Sequence, residues 1–143
     1  MPASSIAQNS TDQDAVLMRS LAGQSRHPHL GQIAIALRDN LVNIYGDRLA
    51  HLILFGSQAR GDAKPDSDLD LLIVLHDQKA KIDRLQEQER TQFITDLYLD
   101  YELVICPIFW LEHQLDWEHH PLLQNIKADG ISLINLNSNE IIN

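Results

Sequence analysis

The sequence predicts an α/β (α+β) domain, built as a small mixed β-sheet with helices packed mainly on one face. Three observations carry this expectation. Two compact apolar runs, Leu49 to Phe55 and Leu69 to Leu75, read as buried strands. Leu30, Ile33, Leu37, Leu41 and Ile44 recur at steps of three and four, the period of a helix with one apolar stripe. The two strands stand too close together for a full crossover helix, whereas the later elements alternate, so strands and helices interleave around a mixed sheet.

In chain order, residues 1–10 are small and polar and read as a flexible lead. Residues 11–134 read as one domain, and 135–143 as a polar tail. Thr11 and Asp14 resemble a capping box ahead of Val16, Leu17 and Leu21, and Gly23 stands where a C-terminal cap would. The stripe from Leu30 ends at Gly46, the natural stop of that helix. From Lys79 to Leu97 there is neither Gly nor Pro, and Ile82, Leu85, Phe93 and Leu97 mark the inward face of a long helix. Tyr101 to Phe109 reads as a third strand, in which Pro107 implies an edge position or an end to regular pairing. His120 to Ala128 reads as a last helix, closed by Gly130 before the apolar stretch Ile131 to Ile134.

Composition narrows the function. The chain has 143 residues, of which 44% are hydrophobic, enough for a core without disulfides or a structural metal. Its lone cysteine, Cys106, and an N-terminus without basic and apolar regions point to a reducing, cytoplasmic setting. The longest apolar run, Leu103 to Leu111, falls far short of the roughly 18 residues a membrane span needs. Twenty acidic against eleven basic side chains leave a net charge of −9, which opposes direct nucleic-acid binding through a basic surface.

The segment FGSQARGDAKPDSDLDLLIVL carries more polar order than a turn requires. Gly56, directly after a buried strand, lets a ligand approach the backbone, and Ser57 offers a hydroxyl and an N–H to phosphate oxygens. A short helix opening at Ser57 would add free N–H groups to the same anion site. Gly61, Asp62, Pro65 and Asp66 supply the turn that returns the chain. Asp68 and Asp70 start the second strand separated by one residue, so alternation puts both carboxylates on one face. Two carboxylates held together repel unless a cation or a proton lies between them, and oxygen donors suit Mg2+ or Mn2+.

This pattern, G-S-x10-D-x-D within GSQARGDAKPDSDLDL, resembles the nucleotidyltransferases of the DNA polymerase beta superfamily, and the run GSxARG in a short chain resembles above all the minimal nucleotidyltransferase (MNT) family. The likeness runs from about His29 to Ile134 and is strongest over Leu52 to Leu75. It implies a polymerase-beta-type fold, a triphosphate held by Gly56 and Ser57, and two Mg2+ ions, with Mn2+ as a substitute, on Asp68 and Asp70. It implies a third carboxylate from a neighbouring strand, for which YELV offers Glu102, with Asp100 on the same strand face as understudy. Arg60 belongs to the motif and would meet a phosphate or brace the aspartates. Ser67 and Lys64 border the site.

Elsewhere the residues carry blander readings. His113, His119 and His120 lack an acid or thiol at structural-zinc spacing. Phe109, Trp110 and Trp117 read as core or as a protein-binding face, and Cys106 as an inert core residue.

Two metals beside a phosphate cradle suit nucleotidyl transfer, in which charge is neutralised and the attacking and leaving oxygens are aligned. The chain is too short to carry a separate substrate domain. MNT proteins typically act as antitoxins paired with HEPN-domain ribonucleases, and members transfer AMP from ATP to a tyrosine of that toxin. The resemblance thus implies a protein adenylyltransferase that silences a HEPN ribonuclease. Its rivals are a small-molecule nucleotidyltransferase of the aminoglycoside-modifying kind and a catalytically silent antitoxin that only binds.

Overall fold

In the computed structural model, residues 12–23, 25–76 and 83–134 are described. The two tails, Thr11 of the expected capping box and Ile82 of the expected helix face lie outside these residues. Helix α1 covers residues 12–20. It is followed by α2 (Leu30–Tyr45), a 3-10 turn (Gly46–Arg48), β1 (Leu49–Phe55) and the single-turn helix α3 (Ser57–Arg60). Then come β2 (Leu69–Leu75), α4 (Arg84–Tyr101), β3 (Ile105–Leu111), α5 (Pro121–Asp129) and the two-residue β4 (Ile131–Ser132).

The four strands form one mixed sheet in the order β3-β2-β1-β4. The β1–β2 pair is antiparallel and places Phe55 opposite Asp70. The β2–β3 pair is parallel and places Cys106 opposite Asp70 on the other side. As expected, Pro107 lies on an edge strand, where a missing N–H donor costs the ladder little.

Over Leu52–Phe55 and Leu71–Leu75 the central strands are buried on both faces, which is why those stretches read as apolar runs. Leu52, Leu54, Leu71 and Ile73 face a core shared with Leu17 and Leu21 of the α1 region and with α2 and α4. Ile53, Phe55, Leu72 and Val74 face a second core closed by Leu123 and Ile126 of α5. Each such side chain contributes about 1.5–3 kcal/mol when fully withdrawn from water. Arg38 of α2 is buried against Asp14 at 2.6 Å and Asp39 at 2.8 Å, which ties α1 to α2. Asp70 belongs by strand parity to the α5 face.

Two expectations are corrected. The third strand begins at Ile105 rather than Tyr101, because α4 continues to Tyr101 and is closed by Glu102 in a left-handed conformation (φ 56°), its N–H donating to the Tyr98 carbonyl at 2.7 Å. Leu85 does not face inward: it is 70% exposed, and within α4 only Leu97 is fully buried, with Phe93 and Ile94 packing partly. Among the described residues no helix is long and apolar enough to cross a membrane.

Candidate active site

The turn after β1 is shaped by Gly56, whose φ of 78° is a conformation that a side chain disfavours. A Cβ at this position would overlap the carboxylate of Asp70, so the glycine also makes room for that group. Gly61 closes α3 in the left-handed conformation, with the N–H groups of Gly61 and Asp62 both donating to the Ser57 carbonyl, at 2.9 and 3.1 Å.

Arg26 holds this turn from the α1–α2 connection. Its Nε donates to the Gln58 carbonyl at 2.8 Å and its Nη2 to the Ala59 carbonyl at 2.7 Å, satisfying groups that a one-turn helix leaves bare. The buried Gln58 side chain accepts from the His27 N–H at 3.0 Å and donates to the Ser67 carbonyl at 3.3 Å, so it joins the turn to the loop that delivers the aspartates. The Ser67 hydroxyl is engaged within that loop, accepting from the Lys64 N–H at 2.8 Å.

The structure gathers Phe55, Gly56, Ser57, Arg60 and Asp70 around one cleft of about 330 Å3, together with Leu122 and Asn125 of α5. Burial pushes the Asp70 carboxyl above its ordinary value, the neighbouring Asp68 charge adds to the rise, and Arg60 partly offsets it. Arg60 itself pairs with Asp62, Nε to Oδ2 at 3.3 Å. Asp68 is exposed beside the pair partner Cys106, whose thiol donates to Asp68 Oδ2 at 3.6 Å. Burial and both aspartates push the Cys106 thiol upward, which keeps it protonated.

Glu102 is not brought into this group. As the cap of α4 it precedes β3 and lines a separate cleft with Arg26, His27, Lys64 and Tyr101, and its charge is not among those that shift Asp70. Asp100 lies on α4, not on a strand. Among the described residues no set of three or more His, Cys, Asp or Glu side chains is gathered as a metal site. The strand position directly across from Asp70 belongs to Cys106, which is therefore part of the site's surroundings and not a plain core residue. His120, by contrast, packs edge-on against Trp110 at 4.9 Å between ring centres.

Sequence reasoning missed Leu122 and Asn125. No local motif marks them, since α5 reaches the cleft only through the packing of Leu123 and Ile126 on the sheet. The donor chemistry fits a divalent cation beside a phosphate chain: two carboxylates separated by one residue, one of them pushed up in pKa by burial and by its neighbour's charge, next to a turn without a Cβ.

Comparison with known proteins agrees with this chemistry. Residues 36–128 match the family described as "Nucleotidyltransferase domain". Over 80 residues the chain is 34% identical to a Methanocaldococcus jannaschii protein named "Putative protein adenylyltransferase MJ0141", covering 55% of this chain and 77% of that protein. Two solved structures share a looser likeness. One, described as a toxin-antitoxin with AMP-PNP, has a TM-score of 0.45 at 22% identity over 71% of this chain and 69% of the other. The second, a mutant of the toxin-antitoxin MntA-HpeT, has a TM-score of 0.48 at 19% identity over 78% and 77%. The family match spans well over half of the chain and contains the glycine-serine turn, both aspartates, Leu122 and Asn125, and on that ground the chain belongs to the nucleotidyltransferase domain family.

Proposed function

We propose that this nucleotidyltransferase moves AMP from ATP to a tyrosine of a cognate HEPN ribonuclease toxin and thereby acts as its antitoxin. The observation that carries the transfer chemistry is the Gly56–Ser57 turn and Asp70 lining one cleft, with the Asp68 charge near enough to act on Asp70. The choice of a protein acceptor is supported by the 34% identity to a relative named as a protein adenylyltransferase, and the HEPN toxin by the MNT resemblance alone.

In this reading Asp68 and Asp70 hold Mg2+, or Mn2+ in its place. Bound there, the divalent metal would offset the charge of the triphosphate and lower the pKa of an acceptor hydroxyl. The Ser57 hydroxyl and the free N–H groups opening α3 face phosphate oxygens, and Arg60 supplies a guanidinium to the same oxygens. The tyrosine oxygen forms a bond to the α-phosphorus, the bond to the β-phosphate oxygen breaks, pyrophosphate departs and the phenolic proton passes to solvent. Arg26 and Gln58 hold the turn and the aspartate loop in register, so the attacking and leaving oxygens need not wait for the backbone to settle. The added AMP brings negative charge and bulk to the toxin, which disfavours RNA there.

The test is to incubate the protein with labelled ATP, Mg2+ and the product of the adjacent gene. Label on a tyrosine of that partner is the expected outcome. Label on an aminoglycoside or similar alcohol instead would move the reading to small-molecule transfer.

A further inference from the structure

We infer that Asn125 is the residue that binds the base of the nucleotide, by hydrogen bonds to the adenine edge; the inference rests on the nucleotidyl-transfer reading above. The cleft is chemically divided. Gly56, Ser57, Arg60 and Asp70 contribute N–H groups, a hydroxyl, a guanidinium and a carboxylate, the chemistry of phosphates and their cation. The share contributed by α5 is uncharged: Leu122 and, one turn on, Asn125.

Helix α5 is firmly anchored. Leu123 and Ile126 are 0% exposed, Pro121 opens the helix, and β4 follows directly to pair Leu54 with Ile131. Its C-terminal end packs so closely on β1 that a Cβ at Gly130 would overlap the Ile126 carbonyl and lie 2.7 Å from Ile53 Cγ2. The Asn125 backbone is therefore held in place at the cleft, while its residue is exposed and its side chain makes no hydrogen bond to any described residue. A carboxamide presents an N–H donor beside a C=O acceptor in a single plane, which complements the 6-amino group of adenine and the ring nitrogen beside it. Leu122 supplies apolar surface for the flat ring, as a nucleotide pocket needs next to its polar contacts.

The experiment measures Mg2+-dependent binding of three probes to the full chain and to Asn125→Ala: ATP, the purine-riboside triphosphate that lacks the 6-amino group, and inorganic tripolyphosphate. The parent should bind ATP about tenfold more tightly than the deamino analogue, the worth of one good hydrogen bond. Asn125→Ala should bind the two nucleotides equally and keep the parent's affinity for tripolyphosphate. A variant that keeps the parent's preference, or a parent with none, overturns the role of Asn125. Loss of tripolyphosphate binding in the variant also overturns it, because the residue would then be holding the cleft's shape. A parent that binds neither ATP nor tripolyphosphate overturns the nucleotidyl-transfer reading itself.

Discussion

The carboxylate of Asp70 occupies the space that a Cβ on Gly56 would fill. The turn proposed to receive phosphate and the residue proposed to receive the cation are thus one unit, set by the β1–β2 pairing of Phe55 with Asp70. Gly56→Ala should abolish turnover and destabilise the fold by about 1–3 kcal/mol through its backbone conformation (φ 78°, ψ −160°) alone. Gly46 is the control, because it also has a positive φ but nothing within 4 Å of its Cβ position. Gly46→Ala should show a similar backbone cost in urea melts and retain activity. Full turnover by Gly56→Ala would separate the turn from the chemistry.

Asp70→Asn should remove transfer, by about 100-fold or more, and yet stabilise the metal-free protein at neutral pH. Burial and the Asp68 charge raise the folded-state pKa of Asp70, so its ionised form is the costly one. The parent's stability should accordingly fall as pH rises through the carboxylate range, and the variant should lack that fall. Thermal melts between pH 3 and 7 read the difference, and Mg2+ should stabilise the parent but not the variant.

Cys106 stands directly across from Asp70, and its thiol lies 3.6 Å from Asp68. Cys106→Asp should place a third carboxylate beside the pair and tighten Mn2+ binding about tenfold, since affinity at such sites follows the charge of the ligand set. Glu102→Gln, which changes a residue in a different cleft, should alter Mn2+ affinity less than about twofold. Electron paramagnetic resonance of bound Mn2+ measures both. The reverse order would return the third-carboxylate role to Glu102.

His51 links the fold to pH. It packs edge-on against Trp117 with Nδ1 buried and unpartnered among the described residues, and burial lowers its pKa, with Glu112 opposing and His76 adding to the shift. The folded state then takes fewer protons than the unfolded chain. Stability should decline as pH falls below about 6.5, the ordinary histidine value. His51→Leu should flatten that decline in urea melts at pH 7 and pH 5, and an unchanged slope would place the proton uptake elsewhere.

Leu49–Phe55 and Leu69–Leu75 were legible because sandwiching between two cores leaves no alternation to misread. The glycine-serine turn and the aspartate pair were legible because their order is local. The start of β3 was not. Without Gly or Pro, only the left-handed turn at Glu102 ends α4, so YELV looks like the head of an apolar strand. The same reading placed Glu102 on a strand beside the aspartates and hid the register position of Cys106. Asn125 was invisible for a different reason: it reaches the cleft through tertiary packing of α5, and nothing in its neighbours' spacing says so.

The most direct test of the central claim is the intact mass of the proposed HEPN partner after incubation with ATP and Mg2+, followed by separation of the two proteins. The expected result is a partner heavier by whole AMP units on tyrosine, with low ribonuclease activity that persists after separation, and no mass change when Asp68→Asn replaces the parent. A partner of unchanged mass that regains activity once separated, under conditions where this protein binds Mg-ATP, would contradict it, because protection would then come from binding alone.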